Sequence, residues 1–80
     1  MLLKEIKSMI SEIANIPTDE IEKDDSLESL GIDSLLTVEL IMNLEKKYDI
    51  IFDASDINFQ NFNSVKNIVS IVEKTKCGNL

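Results

Sequence analysis

The sequence predicts an all-α fold: a small four-helix bundle of three main helices and one short one, with a long loop between the first two. Three observations lead there. Apolar residues recur at helical spacing in three separate stretches. The one run that passes for a strand, Ile50-Ile51-Phe52, has no second strand to pair with, so a loop that buries Phe52 is expected. Eighty residues, 44% of them hydrophobic, suffice for one core and argue against disorder.

The first helix is expected over about Leu2 to Ala14, where Leu3, Ile6, Ile10 and Ile13 form a stripe flanked by Leu2 and Met9. Pro17 disfavours helical geometry at Ile16 and ends the helix near Asn15. Residues 18–33 then form a connection in which seven of sixteen residues are acidic and only Lys23 opposes them. A loop of that length needs anchoring in a compact domain, and Ile21, Leu27, Leu30 and Ile32 are its apolar anchors. Short helical turns are expected at Asp19–Glu22 and again after Ser26.

The loop closes on Leu30-Gly31-Ile32-Asp33-Ser34-Leu35. Gly31 suits a sharp turn, Asp33 is a strong N-cap, and Ser34 takes the first helical position. From Ser34 to about Tyr48 no Gly or Pro interrupts. The positive end of the helix dipole, with its free N–H groups, favours a phosphate beside that serine. This second helix has two apolar faces. Leu40, Ile41, Leu44 and Tyr48 share one, while Leu35, Val38 and Met42 lie on nearly the opposite side beside Glu39 and Lys46. One face for the core and one for a partner is the reading preferred here over a doubly buried helix. Glu39 and Glu45 serve as solvated face or recognition charge.

A short helix is expected at Ala54 to about Asn58, capped by Asp53 or Ser55, with Phe59 and Phe62 anchoring the loop after it. The last helix starts near Ser64, with Asn63 or Ser64 as cap and a stripe of Val65, Ile68, Val69 and Val72. Residues 1–74 are read as one domain and residues 75–80 as a flexible tail that carries Cys77, an incidental thiol.

The net charge of −7 sits in the first half, where residues 1–40 hold ten acids against three lysines; the second half is neutral. It repels nucleic acid and anionic membrane and points to basic protein partners. No apolar run approaches membrane-spanning length, the start is too charged for a signal peptide, and a lone cysteine forms no internal disulfide. A cytoplasmic monomer is expected. With no histidine or arginine, Ser-His-Asp and Cys-His machinery and ordinary zinc sites are excluded, and the acidic loop lacks the spacing of a calcium-binding EF-hand. No catalytic residue and no metal ligand is assigned, and an enzyme is not expected.

The chain resembles the acyl carrier protein family from about Leu3 to Glu73. The specific part is Asp25-Ser26-Leu27-Glu28-Ser29-Leu30-Gly31-Ile32-Asp33-Ser34-Leu35, followed by Thr37-Val38-Glu39-Leu40. The resemblance implies that Ser34, beside Asp33, carries 4'-phosphopantetheine, attached by a phosphopantetheinyl transferase from coenzyme A. The arm would hold an acyl or aminoacyl thioester for loading and processing enzymes with basic docking patches. Leu35, Val38, Glu39 and Met42 fall where the family docks its partners. Three features differ from bacterial fatty-acid carriers: Leu36 replaces an acid, the second helix ends in Glu45-Lys46-Lys47-Tyr48, and the segment from Tyr48 to Val65 is longer. Asn61-Phe62-Asn63-Ser64-Val65 resembles free-standing carriers of polyketide, peptide and D-alanyl pathways. A specialised-pathway carrier is therefore expected ahead of a housekeeping one, and ahead of an unmodified acidic interaction module.

Overall fold

The computed structural model describes residues 2–78, excepting the side chains of Phe59 and Cys77. The described chain forms four α-helices, α1 (Leu2–Ala14), α2 (Ser34–Tyr48), α3 (Phe59–Phe62) and α4 (Val65–Gly78), with 3-10 turns at Thr18–Glu20 and Ala54–Asp56. α1 buries Ile6 and Ile10, and α2 buries Leu40, Ile41 and Leu44. α4 meets them with Val65, Ile68, Ile71 and Val72. The chain leaves α1 through Asn15, whose φ of 60° puts it in the left-handed region and turns it toward Pro17.

The long loop is part of the core. Ile21, Leu27 and Ile32 are buried beneath it and Leu30 is partly buried. Its backbone is also sewn to the start of α4. The Val65 N–H donates to the Asp25 carbonyl at 3.1 Å, the Lys66 N–H to the Lys23 carbonyl at 2.9 Å, and the Leu27 N–H to the Asn63 carbonyl at 3.0 Å. The first N–H groups of a helix have no partner within it, and here two of them find partners in a loop about forty residues upstream. Ser64 supplies the side-chain cap, its hydroxyl accepting from the Asn67 N–H at 3.3 Å.

Three expectations need correction. The short α-helix is Phe59–Phe62, not Ala54–Asn58, because the Asn58 side chain caps it by accepting from the Asn61 N–H at 2.9 Å. The earlier segment is only a 3-10 turn, Ala54–Asp56, and Asp53 gives it no side-chain cap. α4 runs on through Gly78, beyond the Thr75 at which the tail was expected to begin. Of that tail, residues 79 and 80 lie outside the described residues, as do the side chains of Cys77 and of Phe59, the proposed loop anchor.

Between α2 and α4, Phe52 and Phe62 are buried and meet edge to face, with ring centroids 5.4 Å apart and planes at 83°. The Phe52 N–H donates to Glu45 Oε2 at 2.9 Å. Glu45 is therefore half-buried and holds the chain after α2, instead of belonging to a solvated or recognition face. No helix among the described residues is long and apolar enough to cross a membrane.

Candidate functional site

The site grows from the turn before α2. Gly31 has φ of +83°, a conformation that costs other L-residues strain. The turn closes on the Leu27 carbonyl, which accepts from the N–H groups of Leu30 and Ile32 at 3.1 and 2.9 Å. Ile32 drops into the core and Asp33 turns outward. Asp33 is extended, with φ −89° and ψ −171°, and its Oδ1 accepts from the Leu36 N–H at 3.0 Å. Its carbonyl accepts from both the Thr37 N–H at 2.9 Å and the Thr37 hydroxyl at 2.8 Å. Ser34, the first residue of α2, is thus exposed on a rigidly held helix end.

The two faces of α2 part as the pattern predicts. Leu35, Val38 and Met42 are 80%, 53% and 63% exposed, beside the exposed Glu39, while Leu40, Ile41 and Leu44 are buried. Leu36 is partly buried against the core. That accounts physically for an apolar residue at the position where an acid is otherwise expected.

Ser34 also stands at the edge of an open cleft of about 590 Å³ between α2, the loop 26–33 and the segment 57–63. Leu27, Ile32, Ile41 and Phe62 form its apolar walls, and Val38 and Ile57 also line it. Asp33, Ser34 and Val38 therefore share one concavity, whereas Leu35, Glu39 and Met42 are not among its lining residues. Sequence reasoning missed Ile57, Asn58 and Asn63 as lining residues. The signal available was the spacing of Asn58 and Phe62 around one helical turn.

A family model described as a phosphopantetheine attachment site matches residues 4–72. The chain belongs to the acyl carrier protein family. Such proteins are carriers and not catalysts, and their prosthetic group is covalent 4'-phosphopantetheine. The carrier is 37% identical over 75 residues to an acyl carrier protein of Aster yellows witches'-broom phytoplasma, covering 92% of this chain and 96% of that one. It is 31% identical over 55 residues to the non-reducing polyketide synthase ausA of Penicillium brasilianum, which spans 69% of this chain but 2% of the synthase. Its fold matches the HMG-ACPI domain from the CurA module of Lyngbya majuscula with a TM-score of 0.78, at 18% identity, covering 99% of this chain and 79% of that one.

The residues around Ser34 fit the prosthetic group. The exposed Ser34 hydroxyl would receive the bond, and the N-terminus of a fifteen-residue helix would favour the phosphate charge by roughly 0.3–1 kcal/mol. A cleft beside it offers apolar surface to an arm.

Proposed function

We propose that Ser34 is the attachment point of 4'-phosphopantetheine and that this carrier serves a specialised polyketide, peptide or aminoacyl pathway. The observation that carries the first part is an exposed serine on the first position of α2, next to the Asp33 cap and a cleft. The chain contains no histidine, and the Asp33 carboxylate beside Ser34 is engaged as the helix cap by the Leu36 N–H, so the hydroxyl is activated by a transferase acting in trans. When bound, the group supplies a thiol that holds cargo as a thioester. Asp33 fixes the helix end on which that arm is mounted.

Leu35, Val38, Glu39 and Met42 form the docking surface for the transferase and for loading and processing enzymes. Exposed apolar side chains with acidic neighbours suit brief contact with basic patches, because charge speeds encounter more than it tightens the complex. Leu36, the Lys46-Lys47 helix end and Asn61–Val65 support the specialised pathway.

Co-expression with a broad-range phosphopantetheinyl transferase, followed by intact-mass measurement, is expected to show one added group, absent in Ser34→Ala. No adduct on the wild-type chain would instead support an unmodified interaction module. Efficient chain elongation on the loaded protein by standard fatty-acid synthase enzymes would overturn the pathway assignment.

A further inference from the structure

We infer that α2 docks protein partners whose contact surface is bipolar, basic toward Ser34 and acidic toward Lys46. This rests on the reading of the exposed face of α2 as the docking surface.

The charge on that face changes sign along the helix. Leu35, Glu39, Met42 and Lys46 follow one another at steps of four, three and four residues and are all exposed, so they form one stripe. Before the stripe lie Glu28 and Asp33, both exposed, in a loop with seven acids and one lysine. At its far end stands Lys46. Glu45 is turned aside, its carboxylate accepting from the Phe52 N–H at 2.9 Å. Lys47 and Lys76 lie over the Tyr48 ring at 5.9 and 5.0 Å, off the stripe. The ion pairs among the described residues join Lys66 to Asp24 and Lys74 to Asp56, so Lys46 enters neither. The next acid, Asp49, lies past the helix end with φ of 54°, and it too stands outside those pairs.

Distance decides whether the acidic pole overrides this lysine. Lys46 is twelve residues from Ser34, about 18 Å at a rise of about 1.5 Å per residue. The Debye length at roughly 0.15 M salt is about 8 Å, so exposed charges at the two ends act nearly independently. A partner surface that is basic throughout is attracted at Asp33 and Glu39 and repelled at Lys46. One with an acid at that end is attracted at both, and so lies along α2 in a single direction.

A lysine in the last helical turn also favours the helix dipole, but that contribution is the same whichever partner arrives. The test therefore compares two probes on one chain. Both are stapled amphipathic helices of the length of α2 with a Leu and Met stripe. One carries lysines at both ends, the other lysines at one end and glutamates at the other. NMR titration of the whole isotope-labelled chain, at about 0.15 M salt, reads their affinities from the amides of Leu35, Glu39, Met42 and Lys46. The bipolar helix is expected to bind about fivefold tighter, as exchanging one repulsive exposed pair for an attractive one would give. A spin label on its lysine end is expected to broaden Leu35 and spare Lys46. In Lys46→Glu the order of the two probes is expected to reverse, while Lys47→Glu, with the same change of net charge, keeps it. Equal affinities, tighter binding of the all-lysine helix to wild type, reversal by Lys47→Glu, or a label found at the Lys46 end would overturn the inference while the face still docks helices. No shift at these amides with either probe would remove the docking surface itself.

Discussion

The Tyr48 hydroxyl donates to Glu5 Oε1 at 2.7 Å, joining the end of α2 to the first turn of α1 across 43 residues of sequence. Lys76 of α4 lies over the same ring at 5.0 Å and Lys47 at 5.9 Å. One partly buried tyrosine thus touches all three long helices at the end of α2 opposite Ser34. Burial, and then the Glu5 carboxylate, push the Tyr48 hydroxyl above its ordinary value of 10.0. The Tyr48 hydrogen bond is the largest influence holding Glu5 below 4.5.

The pH dependence of this contact follows from those directions. Glu5 is lowered in the folded state, so its stabilising contribution is full above pH 4.5 and is lost as the pH falls below it. Tyr48 is raised, so its contribution is full below pH 10.0 and is lost as the pH climbs past it. Tyr48→Phe is expected to be less stable than wild type at neutral pH, with the gap closing in acid. Urea denaturation of both proteins at neutral pH and below the Glu5 titration measures that gap. A gap independent of pH would show that the charge on Glu5 adds nothing to the contact with the Tyr48 hydroxyl.

Gly31→Ala is expected to cost about 1–2 kcal/mol, and the cause is conformational. A Cβ built at Gly31 meets nothing within 4 Å, so crowding contributes nothing, while φ of +83° strains any side chain. Gly31→Asn, which tolerates the left-handed region better, is expected to cost less. Thermal melts of the two variants settle the order. Alanine matching asparagine would remove the backbone explanation.

Asp33→Ala is expected to lose about 1 kcal/mol through the broken cap to Leu36. Asp33→Asn keeps a cap oxygen and removes the charge. Stability near wild type in Asp33→Asn, together with slower phosphopantetheinylation, would separate charge recognition from capping. If modification proceeds at the wild-type rate, Asp33 serves the fold alone.

Leu27→Ala is expected to cost about 2–5 kcal/mol, as much as a helical core position, although Leu27 sits in a loop. It is only 3% exposed, its N–H donates to the Asn63 carbonyl, and its carbonyl closes the turn at Gly31. Such a loss is comparable to the whole stability of many small domains. Met42→Gln, on the exposed face of α2, is expected to change stability by no more than about 0.5 kcal/mol while slowing partner enzymes. Chemical denaturation of both variants, with transferase kinetics on the second, checks the contrast.

The long helices were legible because each carries its own local signals. Ile6 and Ile10 repeat at helical spacing, Asp33 marks a start, and Pro17 marks a stop. The double face of α2 was legible for the same reason, since period alone separates Leu35 from Leu40. α3 was not, because one turn is too short to show a period, and Asn58 reads equally well as an ordinary loop residue. The role of Glu45 was hidden too: a carboxylate on a helix says nothing of the Phe52 N–H that the chain later brings to it. At the site, Asp33 and Ser34 stood out as a turn-and-cap pattern. The cleft did not, for it needs Ile57 and Phe62 to arrive from a segment whose path rests on tertiary contacts.

The backbone bonds from Lys66 to Lys23 and from Val65 to Asp25 make two distant stretches a single transplantable unit. Anyone grafting residues 18–33 onto another carrier must bring residues 63–66 along, or leave a helix start without its acceptors. Chimeras cut between those stretches are the ones expected to fail in expression, whatever side chains they retain.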